Sequence, residues 1–211
     1  MRFDFKNIKI TISFTFFALI ILLVILGKND FLYLTCIFAI FHEFGHLFAL
    51  YKFGVKISEF KISLFGANIK TENFKKNSLK KEIIILFSGP FTNLIFGVVS
   101  YFINLYIEND ILKNLILINS GLAIFNLLPF YNFDGGKIFE VLLKYKFNEK
   151  VADVLLTCIS IIVLIPITLC SINVFLQNYN DFYFLAVSAL MLLTIILKKW
   201  LFLLDNSSVL L

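Results

Sequence analysis

Residues 31–50 read FLYLTCIFAIFHEFGHLFAL, an apolar run broken only by the string His42-Glu43-Phe44-Gly45-His46. About twenty apolar residues is the length a helix needs to cross a hydrocarbon core of about 30 Å. A charged side chain inside such a helix costs at least about 2.5–3.5 kcal/mol on insertion scales. Three polar side chains within five residues of the run therefore call for a shared partner. His42 and His46 are the chain's only histidines. Four residues apart on a helix they share a face, so both imidazoles can reach one metal ion, with Glu43 placed beside the metal's water. Two histidines so spaced, with a glutamate after the first, arise by chance in on the order of 3 in 10,000 such sequences. The competing interpretation is a polar contact between helices without metal, and the ligand spacing favours zinc.

The rest of the chain supports a bilayer setting. Hydrophobic residues make up 60% and charged residues 16% of the 211 residues, with a mean hydropathy of +0.91. Soluble domains carry roughly 45–50% apolar and about 25% charged residues, so this chain lacks the polar surface to cover a globule in water. The net charge of +5 does not point to nucleic acid. Arg2 is the sole arginine, which leaves almost no material for bidentate base or phosphate recognition. Cys36, Cys158 and Cys170 all fall in apolar runs and read as small hydrophobes.

Six segments have the length and character of membrane spans: Ile10–Leu26, Phe31–Leu50, Ile83–Ile107, Ile111–Phe130, Val154–Leu176 and Phe182–Leu197. The first exceeds a signal-peptide core and lacks a small-x-small site, so it reads as a retained helix. With these six spans, all the basic residues except Lys28 and Lys113 fall on one side. The positive-inside rule then makes both termini and the two long loops cytoplasmic in a multi-pass cell-membrane protein. Gly89, Asn93 and Gly97 form a small-residue stripe at four-residue spacing, which lets helices approach closely. Alternation over about 55–72, around Phe65-Gly66-Ala67-Asn68, predicts a β-hairpin at the membrane face.

A catalytic zinc takes three protein ligands and a water, so a further carboxylate is needed. Asp134 is the leading candidate. It lies in Asn126-Leu127-Leu128-Pro129-Phe130-Tyr131-Asn132-Phe133-Asp134-Gly135-Gly136, where Pro129 ends a helix and the glycines free the backbone, so the aspartate is expected on an unwound segment. Glu59 and Glu72 are rivals from the hairpin. Depth is consistent with Asp134: His42 sits ten residues before Lys52, roughly 15 Å from the cytoplasmic boundary, and Asp134 approaches from the same side.

Together these motifs resemble the site-2 protease family of intramembrane zinc metalloproteases. The likeness covers the HExxH span, the hairpin, the Ser88-Gly89-Pro90-Phe91-Thr92-Asn93 helix and the Asn126-to-Gly135 string, roughly residues 30–140. The chain is most similar to the stage IV sporulation protein FB branch, without that branch's CBS domain. Phe133 replaces a usual Leu, and Ala67 a usual Gly. The resemblance implies that His42, His46 and Asp134 ligate one zinc per chain, that Glu43 is the catalytic acid/base, and that Asn126 assists at the substrate or oxyanion.

The expected fold is thus an all-α polytopic membrane protein of six transmembrane helices with one small membrane-associated hairpin. It is read as a single integral membrane domain over 1–211, with an N-terminal span in 1–30, a catalytic three-helix core over 31–140 and two C-terminal spans in 141–211. The expected function is cleavage of a membrane-embedded or membrane-tethered protein, such as a sigma-factor precursor or an anti-sigma factor, at a locally unwound helix. Membrane regulatory proteins are conceivable partners. A metal carrier or transporter, or an inactive membrane scaffold, is the alternative. Neither of these needs Glu43 between the histidines.

Overall fold

In a computed structural model, which describes residues 2–5, 8–12, 30–63, 66–72, 78–177 and 182–207, the chain divides into two compact units, Met1–Leu127 and Leu128–Leu211. Unit one begins with strands β1 (Arg2–Phe5) and β2 (Ile8–Ile12) and continues through helix α1 (Asp30–Lys52), strands β3 (Lys56–Ser63) and β4 (Gly66–Glu72), and helices α2 (Leu79–Asn104) and α3 (Asp110–Leu127). Unit two holds α4 (Asp134–Lys146), α5 (Glu149–Gln177) and α6 (Phe182–Ser207).

The expectation of an all-α protein is corrected: the chain is mostly helical but carries a four-stranded sheet in the order β1-β2-β3-β4. The expected span Ile10–Leu26 is corrected over residues 10–12, and its residues 13–26 lie outside the described residues. Ile8, Ile10 and Ile12 alternate with Lys9 and Thr11, the two-residue period of a strand, and the β-branched isoleucines suit a pleated surface. Strands β3 and β4 pair antiparallel, with Ile57 opposite Thr71, Glu59 opposite Lys70 and an irregularity between Ile57 and Glu59. Strand β2 pairs parallel to β3, with Lys9 opposite Glu59, so β3 is internal and β1 and β4 form the sheet edges.

Four helices among the described residues are long and apolar enough to cross a membrane: Phe31–Lys52, Leu79–Asn104, Asp110–Leu127 and Glu149–Gln177. Helix α6 adds a shorter apolar stretch, Leu185–Leu197. Phe44, Phe48, Val98 and Ile162 are each more than half exposed, an outward apolar face that suits lipid rather than water.

Local chemistry sets where α1 stops. Gly54 adopts φ +67°, the Val55 N–H donates to the Leu50 carbonyl and the Gly54 N–H to the Tyr51 carbonyl. This is the Schellman end, in which a left-handed residue satisfies carbonyls the helix leaves open. The chain turns from there directly into β3, and Phe53, Val55 and Ile57 pack on Ala49, Leu50 and Ile85. Helix α2 lies against α1 through Gly45, where a Cβ would collide with the Thr92 hydroxyl and come within 2.6 Å of the Ser88 carbonyl. Helix α3 lies against the same α2 through Gly97, where a Cβ would stand 3.6 Å from the Asn119 Cβ.

In unit two, Phe130, Leu164 and Met191 form a core with Phe133, Ile167 and Ile195 around them. Buried Ser171 and Ser188 share a 3.0 Å hydrogen bond between α5 and α6. Within a bilayer such bonds and close packing, rather than the hydrophobic effect, hold helices together, at about 0.6–2 kcal/mol per bond.

Candidate metal centre

Helix α1 places His42 and His46 one turn apart, both buried. Their Nε2 atoms converge to 3.3 Å. Two nitrogens each at about 2.0–2.1 Å from a tetrahedral zinc would stand about 3.3 Å apart. The pair is therefore already at ligand separation. His46 Nδ1 lies 2.8 Å from the Ile85 carbonyl, which can only accept, so Nδ1 carries the proton and Nε2 keeps its lone pair for a cation. Ser88 Oγ donates to the same carbonyl at 2.6 Å and lies 3.5 Å from His46 Nδ1.

Helix α2 supplies the seat for both rings. A Cβ on Gly89 would overlap His46 Nε2 and stand 2.7 Å from His42 Nε2. Only the bare backbone at that position lets the imidazoles lie against the helix. Gly89 thus does more than allow helices to approach, which is all its place in the small-residue stripe indicated. The Ile85 carbonyl was invisible to sequence reasoning, because a backbone acceptor has no side-chain signature. Glu43, next to His42, is half-buried. The donor set fits zinc: two imidazole nitrogens at tetrahedral separation, one with its tautomer fixed by a carbonyl.

Among the described residues, Glu59 does not come within ligand range of both histidines. Asn126, in the last turn of α3, is half-buried and donates from Nδ2 to the Leu122 carbonyl at 2.9 Å. An amide nitrogen carries two hydrogens, so this bond leaves one for another acceptor.

Asp134 belongs to unit two and is buried. The expectation that it sits on an unwound stretch is corrected by a few residues. Helix α3 ends at Leu127, two residues before Pro129; residues 128–133 form the turn, and Asp134 opens α4. The turn is pinned by the Tyr131 N–H donating to Ser160 Oγ at 3.0 Å and the Phe133 N–H donating to the Phe130 carbonyl at 2.9 Å. Gly136 packs on the Phe130 carbonyl so closely that a Cβ there would overlap it. Lys137, one turn on, approaches the Asp134 carboxylate at 3.4 Å. Burial, then the negative Glu140 and Asp153, push the Tyr131 phenol up, so it stays a neutral donor. Helix α4 itself was not anticipated; its Lys144–Glu140 pair at 2.6 Å marks its polar side.

Comparison with known proteins agrees with this chemistry. Residues 30–110 and 107–167 match the family model for peptidase family M50. A zinc metalloprotease of Methanocaldococcus jannaschii is 27% identical over 151 residues, 67% of this chain and 44% of that protein. The chain thus spans a little under half the length of this curated relative. The solved site-2 protease from Methanocaldococcus jannaschii shares the fold, with a TM-score of 0.66 and 24% identity over 90% of this chain and 91% of that one. The chain belongs to peptidase family M50, the site-2 protease family of metallopeptidases.

Proposed function

We propose that this chain is an intramembrane zinc metalloendopeptidase acting on a membrane-embedded or membrane-tethered protein. The observation that carries the reading is the convergence of two buried imidazole Nε2 atoms, 3.3 Å apart, on a glycine of a neighbouring apolar helix. His42, His46 and Asp134 would hold one zinc per chain. Bound zinc would supply a Lewis acid that makes water nucleophilic near neutral pH. Glu43 takes the proton of the attacking water and returns it to the leaving amine. The free hydrogen of the Asn126 amide is directed to the oxyanion or to the substrate backbone.

The chain is a multi-pass membrane protein of six spans, its termini and the opening of the site facing the cytoplasm; the segregation of the lysines supports this orientation. A substrate helix hides its peptide bonds, and exposing one in lipid costs several kcal/mol, so cleavage takes place where the helix is locally unwound. A sigma-factor precursor or an anti-sigma factor is a fitting substrate class, and membrane proteins that gate access are fitting regulators. The unwound segment docks by adding a strand to the sheet. Strand β3 is internal, and of the two edges, β1 and β4, the hairpin's own outer strand β4 is the one assigned to receive it. Proline substitutions placed singly along Gly66–Glu72 are expected to impair cleavage with zinc content intact; cleavage unchanged at every position would refute strand addition.

The test of the reading itself is metal content. Purified protein is expected to carry one zinc per chain, and Asp134→Ala to fall well below that on elemental analysis. Absence of stoichiometric zinc, or full occupancy in Asp134→Ala, would overturn the assignment.

A further inference from the structure

Asn93 is the most conspicuous polar side chain that the catalytic reading leaves unused. It lies near the middle of α2 with no exposed surface, and among the described residues neither its Oδ1 nor its Nδ2 has a hydrogen-bond partner. A buried amide left unpaired is costly, and more so at membrane depth, where no bulk water can compensate. Most other side-chain amides among the described spans are at least partly served by their own helix: Asn119 and Asn126 donate from Nδ2 to carbonyls four residues back. Asn93 does not make that bond. Its donor and its acceptor are both reserved for something else.

The location says what. Asn93 is one helical turn, about 6 Å, from Gly89, on the same stripe. Side chains on a helix lean toward its N-terminus, so the Asn93 amide leans toward the Gly89 seat, where both imidazole Nε2 atoms rest against the backbone. The only ligand small enough to reach a fully enclosed amide there, and able both to donate to Oδ1 and to accept from Nδ2, is water.

We propose that Asn93 is a solvent-positioning residue of the metal centre, its amide holding a water molecule beside the His42–His46 pair on the α2 side. This deepens the peptidase reading and rests on it for its catalytic part. Water fixed there keeps solvent at the reacting position in a site otherwise walled by apolar helices. Asparagine suits the task because it orients water without adding a charge that the bilayer would penalise.

Two measurements test it. Magnetisation transfer from water to side-chain amide protons, followed by solid-state NMR on the wild-type chain in liposomes, is expected to reach the Asn93 amide as fast as it reaches solvent-exposed amides. Absence of transfer would overturn the proposal whatever the protein's activity. Asn93→Leu, close to isosteric, is expected to keep its zinc and its KM within about twofold while kcat falls about 10- to 100-fold. Asn93→Ser, whose hydroxyl also donates and accepts, is expected to recover most of that loss. Wild-type kcat in Asn93→Leu would mean that the amide is a dry, structural orphan, and loss of zinc would make it a support of the ligands; either refutes the assignment. If Asn93→Leu fails to fold, the NMR result on the wild-type chain decides. Absence of any cleavage by the zinc-loaded wild-type chain would sink the peptidase reading and leave the NMR result standing.

Discussion

Glu43→Gln is expected to lower cleavage of a membrane-tethered reporter about 10²- to 10⁴-fold while zinc stays bound at one per chain. Glutamine has nearly the same shape as glutamate, so packing on α1 is preserved, but its amide cannot accept and return a proton. The histidines have supports apart from Glu43: the Ile85 carbonyl holds His46, and both rings lie against Gly89. Metal content and turnover should therefore separate cleanly. A carrier or a scaffold would keep its function after this change. Cleavage within a few-fold of wild type, with zinc present, would remove Glu43 from the mechanism.

Gly89→Ala is expected to be at least as damaging, and for a different reason. A methyl group there would overlap His46 Nε2 and come within 2.7 Å of His42 Nε2, well inside ordinary contact distance. The rings belong to a helix held by the neighbouring Gly45 contact with Thr92 and Ser88, so they cannot retreat together without parting α1 from α2. A misplacement of about 1 Å in a catalytic group costs on the order of 10²-fold, and here both imidazoles must move. Zinc content and cleavage should fall together, with helix content by circular dichroism unchanged. An active, zinc-loaded Gly89→Ala protein would mean that the imidazoles do not use this seat. The contrast between the two variants is diagnostic: one removes proton transfer from an intact centre, the other removes the centre.

Much of this was legible in the sequence because the signals were chemical and local. His42, Glu43 and His46 stand out because polar groups are expensive in an apolar run, and their spacing translates directly into a shared helix face. Helix α3 ends just before Pro129, as proline chemistry requires. What was not legible depended on long-range partners or on overlapping patterns. Ile8–Ile12 opens an apolar run and alternates at the same time; only pairing with β3, more than forty residues away, makes it a strand. Asp134 looked like a loop residue because two glycines follow it, yet Gly135 and Gly136 lie in the first turn of a helix, and Gly136 is required there by the Phe130 carbonyl rather than by a turn. The role of Gly89 was hidden for a simpler reason. A stripe of small residues announces that something comes close without saying what, and here it is a pair of imidazoles.

The parallel ladder between Ile8–Ile12 and Lys56–Ser63 has a practical corollary for handling this protein. Strand β2 is a staple along one flank of β3, so trimming it to tidy an expression clone would uncover a raw row of main-chain donors and acceptors. Such a row invites stray chains to zip on.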